Sequence, residues 1–77
     1  MAKGKSGVVY ARREDGRICG AAIFGREGGL ETEAQARREV QEGATTTETV
    51  FDDVSAEIRE ERAEEARRDM VDVFMGR

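Results

Sequence analysis

One small α+β domain with the element order ββαβα is the fold the sequence predicts. Three observations lead there: two β-prone runs flank Asp15-Gly16, a capping signature stands at Thr32, and a helical period runs from Asp52 to about Met75. A chain of 77 residues has apolar surface for one core and not for two. The expected organisation is a flexible polar arm over residues 1–6 and a single domain over residues 7–77.

The first element is a hairpin. GVVYARREDGRICGAAIFG places a type I′ turn at Asp15-Gly16, which sets Val8 opposite Ile23, Tyr10 opposite Ala21 and Arg12 opposite Cys19. Val9 and Arg13 then face Ala22 and Ile18 on the other side. Neither side is wholly polar, and Gly20, Ala21 and Ala22 form a flat patch that a helix can approach closely.

After the loop Gly25–Gly29, Thr32 and Gln35 form a capping box for a helix from Glu33 to about Glu42, with Gly43 at the position after the C-cap. Its apolar stripe (Leu30, Ala34, Ala36, Val40) is thin, so its contact with the sheet is narrow. The alternation of Ala44 to Phe51 predicts a third strand; the competing reading makes Thr45 and Glu48 a capping box that starts the last helix early. From Asp52 a long C-terminal helix follows, opened by Asp52 and Asp53 and ended by Gly76.

At about 100° per residue, Phe51, Val54, Ile58, Ala63, Ala66, Met70, Val73 and Phe74 gather on one arc of that helix. Arg59, Arg62, Glu65 and Asp69 interrupt the arc, so its waist is expected to be partly wet. Either the whole arc packs on the domain's own sheet, or its second patch projects to a partner or to a second copy of the chain, making a homodimer. Asp53, Glu57, Glu60, Glu61 and Glu64 gather on the opposite side with Arg68 alone among them. Five carboxylates over roughly 16 Å approach the roughly 3.4 Å charge spacing of one nucleic-acid strand. The bland alternative is an ordinary solvated helix face.

Composition narrows the function. Net charge is −4, with six bases against three acids through residue 30 and seven against fourteen afterwards. Histidine, tryptophan and proline are absent, which removes the usual general base near neutral pH. Cys19 has no histidine to activate it and reads as a small buried hydrophobe. Gly25-Arg26-Glu27-Gly28-Gly29 lacks the Lys-Ser/Thr pair of a phosphate loop and is ringed by Glu27, Glu31 and Glu33. The carboxylates have no EF-hand spacing. No cofactor, metal or catalytic site is expected, nor a membrane span or signal segment, and a reducing cytoplasm fits the lone cysteine.

The expectation is a protein-binding inhibitor or adaptor that meets a protein partner with a basic surface. Asp53, Glu57, Glu60, Glu61 and Glu64 would supply attraction, and Met70 and Phe74 would anchor the partner. Small acidic phage-encoded inhibitors of host defence, such as anti-CRISPR proteins, share this size and charge class, although no motif is matched. A second expectation is a nucleic-acid-binding module using Lys3, Lys5, Tyr10, Arg12, Arg13 and Arg17 of the arm and hairpin, against the alternative that those arginines pair with the helix carboxylates. A third is a homo-oligomeric assembly subunit joined through the last helix.

Overall fold

Strand β1 (Gly7–Arg12) carries apolar side chains in consecutive positions, so the alternation of a strand sends them to both faces and each face needs a cover. Its neighbours are β2 (Ile18–Phe24) and β3 (Thr46–Phe51), both antiparallel to it, in the order β2-β1-β3. The computed structural model describes residues 5–75, with side chains through Val71. In it α1 (Glu33–Gln41) covers one face and α2 (Ala56–Met75) the other. The element order is the predicted ββαβα.

Under α1, Val9, Phe24 and Ala36 are buried, flanked by Ala22, Leu30, Val40 and Phe51. Phe24 and Phe51 meet edge to face at 5.9 Å between ring centroids, the geometry their ring quadrupoles favour. Val40 of the helix lies over Gly20: a Cβ built there would be in ordinary contact with it, 3.7 Å from Cβ of Val40. The capping box forms as expected, Thr32 accepting from the Gln35 amide at 3.2 Å while the Gln35 side chain accepts from the Thr32 amide.

Under α2, Tyr10, Ile18, Val50 and Ala66 are buried, with Val8, Val54 and Met70 packed against them. Phe51 lies in β3 and points to the α1 face, so it is not part of the α2 arc on which the sequence pattern set it. The third strand, rather than an early helix start, accounts for Thr46–Phe51.

The turn and the helix start differ from expectation. A type I′ turn needs positive φ at both central residues, yet among the described residues none other than glycine has one. The hairpin instead closes with a three-residue loop: the Gly16 amide donates to the Arg13 carbonyl at 2.9 Å, and the Arg13 amide to the Arg17 carbonyl at 2.9 Å, with Gly16 at φ 87°. The predicted register holds from Gly7 to Ala11, then shifts: Arg12 pairs with Ile18, and Cys19 is the extra residue of a bulge. Arg12 therefore does not face Cys19, nor Arg13 Ile18.

Helix α2 begins at Ala56, because Asp52 and Asp53 are engaged elsewhere and Ser55 serves as its cap, accepting from the Ile58 amide at 3.3 Å. Asp52 accepts from Ser6 and, in a fork, from Arg26. Asp53 lies 3.3 Å from Nζ of Lys5, which also sits 5.4 Å above the Phe51 ring. The expected cap at Gly76 lies outside the described residues.

Burial ranks the elements. Replacing fully buried Phe24 by alanine is expected to cost about 3–5 kcal/mol, whereas Thr32→Ala removes one cap and costs about 1 kcal/mol. Urea denaturation followed by circular dichroism checks the order, and equal losses would show that the α1 face is not the densely packed one.

Candidate functional site

Helix α2 turns its charged residues two ways. Three of them, Arg62, Glu65 and Asp69, face the sheet. Arg12 of β1 donates to both oxygens of Glu65, at 2.8 and 3.2 Å, and approaches Glu48 of β3 at 3.4 Å. Arg62 donates from Nε to both oxygens of Glu48 at 3.3 and 3.1 Å and stands 3.9 Å from Glu65. Two guanidiniums and two carboxylates thus share one half-buried cluster that joins α2 to two strands. Asp69 accepts the Ile18 amide at 2.9 Å, so a backbone donor at the bulge finds its acceptor on the helix. The waist of the helix is ion-paired to the sheet and, with these side chains only partly buried, partly wet as expected.

Hydrogen bonds from Arg12 hold the Glu65 carboxyl below the usual carboxylate range, and Glu65 in turn raises the Arg12 guanidinium. Arg26 first, and Ser6 second, lower Asp52 in the same way. Burial pushes the Tyr10 phenol up, with Glu48 adding to the shift.

The outward acids form the candidate surface. Glu57, Glu60, Glu61 and Glu64 are exposed along the first turns of α2. Among the described residues Glu57, Glu60 and Glu64 have no ion-pair partner, and Glu61 comes only to 4.0 Å of Arg62. At 1.5 Å per residue these four charges occupy about 10 Å of helix. Further along the same side Arg67, Arg68 and Val71 are also exposed. Asp53 belongs to the turn before the helix, and Lys5 offsets its charge. Met70 packs on the protein's own core beside Ala66. The Phe74 side chain lies outside the described residues.

The hairpin cations are arranged differently from the outward acids. Tyr10 is only 6% exposed, which leaves no ring for a base to stack on. Arg12 is held by Glu65 and Glu48, Arg13 pairs with Asp15 at 2.9 Å, and the Arg17 amide donates to Asp15. Lys3 lies outside the described residues. In the Gly25–Gly29 loop the amides of Gly25, Gly29 and Leu30 all donate to chain carbonyls, so that loop does not present them to an anion.

The sequence pattern pointed to the outward acids and left open that hairpin arginines pair with helix carboxylates, as Arg12 does with Glu65, but it did not bring Glu48 and Arg62 into that cluster or foresee the Asp69 contact. Their signal was present as charged residues at helical spacing inside an apolar arc. Among the described residues no three histidine, cysteine, aspartate or glutamate side chains are placed to hold a metal ion, and no helix is long and apolar enough to cross a membrane. Comparison with known proteins finds no matching family, no similar curated protein and no similar solved structure.

The lowered Glu65 and Asp52 carboxyls make stability depend on acid. A carboxylate whose folded pKa is depressed contributes fully above its unfolded value, near 4, and loses that contribution as pH falls through the lower folded value. The denaturant midpoint is therefore expected to fall as pH drops below about 4, and less steeply in Glu65→Gln and Asp52→Asn than in the parent. Parallel midpoint curves for all three proteins would contradict the pairing.

Proposed function

We propose that the protein is a protein-binding inhibitor or adaptor that presents the outer face of α2 to a basic surface of the kind that grips nucleic acid. The observation that supports this is the division of its acids. Glu48, Asp52, Glu65 and Asp69 each have a partner within the fold, while Glu57, Glu60 and Glu64 have none among the described residues. Charge of one sign on a rigid helix speeds encounter with an oppositely charged partner and rejects like-charged ones. The spacing along the helix resembles that along a phosphate backbone. Small size, net negative charge and the absence of histidine place the chain in the same physical class as phage-encoded inhibitors such as anti-CRISPR proteins.

The basic-hairpin reading is weaker, because Tyr10 is buried and Arg12 is committed to the sheet-helix cluster. Assembly through α2 would have to use Ile58 and Val71, its exposed apolar side chains, since Ala66 and Met70 turn inward.

Capture from a host lysate with the immobilised protein tests the proposal when run beside the variant Glu57→Lys, Glu60→Lys, Glu61→Lys, Glu64→Lys. All four positions are exposed, so helicity is expected to persist while a nucleic-acid-handling protein is lost from the captured set. Retention by the reversed variant, or tight salt-sensitive binding of the parent to a generic oligonucleotide, would remove the acidic face as the interaction surface.

A further inference from the structure

We propose that the outer edge of β2 is a second docking site, one that takes an extended segment of another protein as a fourth strand, with apolar and basic residues alternating along that segment. The inference is independent of the acidic face of α2 and goes beyond it.

Which backbone groups of β2 face outward follows from the ladder. The Asp52 amide donates to the Ser6 carbonyl at 2.9 Å, so the even-numbered residues of β1 point their polar groups at β3 and the odd-numbered ones at β2. Val9 and Ala11 then bond to Ala22 and Gly20, which leaves Ala21 and Ile23 pointing away from the sheet. A separate contact agrees: the Ile23 carbonyl accepts the Leu30 amide at 2.8 Å from outside.

That contact also shows that the edge accepts a strand. Leu30 forms a parallel bridge with Phe24, donating to Ile23 and accepting from Gly25 at 2.8 Å each. The chain then departs toward the Thr32 cap after a single bridging residue. Among the described residues no strand neighbours Cys19 to Ala22 on this side.

Charge and proline, two of the usual protections of an edge, are missing here, and the bulge at Cys19 lies only at its start. ICGAAIF has no charged residue and no proline. Ala21 is exposed and Ile23 is 44% exposed. A shallow groove runs along this edge between Ala21–Ile23, the Gly28–Leu30 loop and Glu39 of α1.

The occupant is set by the two faces. Ala21 and Ile23 lie opposite Tyr10 and Val8, on the α2 side, so alternate residues of an added strand there meet apolar side chains. The other alternate residues lie on the α1 side, toward Glu39, which has no ion-pair partner among the described residues. An alternating apolar and basic strand satisfies both. A second copy of β2 has no base at the matching positions and would bring two Glu39 carboxylates to the same seam, so another protein is the better fit.

The test uses the full-length chain and a capped Lys-Val-Lys-Val-Lys-Val peptide, followed by amide NMR. Saturable shifts are expected at Cys19, Ala21 and Ile23, with a Kd of about 1 mM or tighter. Glu39→Lys is expected to weaken binding about two- to fivefold. Ala21→Pro is expected to abolish it while the remaining spectrum persists, because the lost N–H faces outward and serves no bond within the sheet. Should that variant unfold, Ile23→Lys supplies the same loss of binding through the side chain. Absence of shifts at millimolar peptide, or equal binding of the corresponding Asp-Val peptide, overturns the proposal. So do shifts confined to Glu57–Glu64, or shifts at β2 that follow protein concentration without peptide, which would assign the edge to a second copy. In the charge-reversed α2 variant the β2 shifts are expected to remain, which separates this site from the acidic face.

Discussion

The Arg12–Glu65 contact fixes how the last helix meets the sheet, and most of what the molecule presents to solvent follows from it. Helix α2 offers the sheet little apolar surface: Ala66 is small, and Met70 is only partly covered. An apolar contact of that size leaves the rotation of a helix about its axis loosely determined. A forked pair between a guanidinium and a carboxylate does not, because both N–H···O bonds must be aimed at once. With Arg62 fixed on Glu48 one turn earlier and Asp69 on the Ile18 amide one turn later, three polar contacts along one line set the helix azimuth. Half-exposed pairs of this kind contribute little stability singly. Their effect here is on geometry: with Glu65 inward, Glu57, Glu60, Glu61 and Glu64 are outward.

The two faces of the sheet are held by different means. The α1 face is a conventional packed layer, with Phe24 against Phe51 and Val40 lying over Gly20. The α2 face is a thin apolar layer bordered by charge. β1 lies between them with Val9 and Ala11 fully enclosed, which explains why a strand of six residues can be covered on both sides in so short a chain. The cost of this economy falls on β2, whose outer edge is closed only where Leu30 touches it.

Much of the fold was legible in the residues because local signals agreed with one another. Thr32 with Gln35 marks a helix start by chemistry that needs no tertiary context, and Asp15-Gly16 marks a reversal. The exact turn was not legible, since Asp-Gly suits either a two-residue loop or a longer one in which glycine alone takes positive φ. The choice moves the register by one and creates the bulge at Cys19. The start of α2 was misplaced for a related reason: Asp52 and Asp53 are good caps, but Arg26, Ser6 and Lys5 claim them from distant parts of the sequence. Outward acids could be found from periodicity alone. The inward cluster could not, because helical spacing shows that Arg62 and Glu65 share a side but not that Arg12 and Glu48 wait beneath it.

Engaging Arg12, Arg26 and Arg62 against acids of the fold has an effect beyond cohesion. Those cations are withheld from the first turns of α2, so the carboxylates of Glu57, Glu60, Glu61 and Glu64 stand together there, with Arg67 and Arg68 exposed further along the same side. A body charged in this lopsided way experiences a torque in the field of a cationic neighbour as well as a pull. It would swing round during approach and arrive with α2 leading, so that fewer collisions are wasted on the wrong orientation.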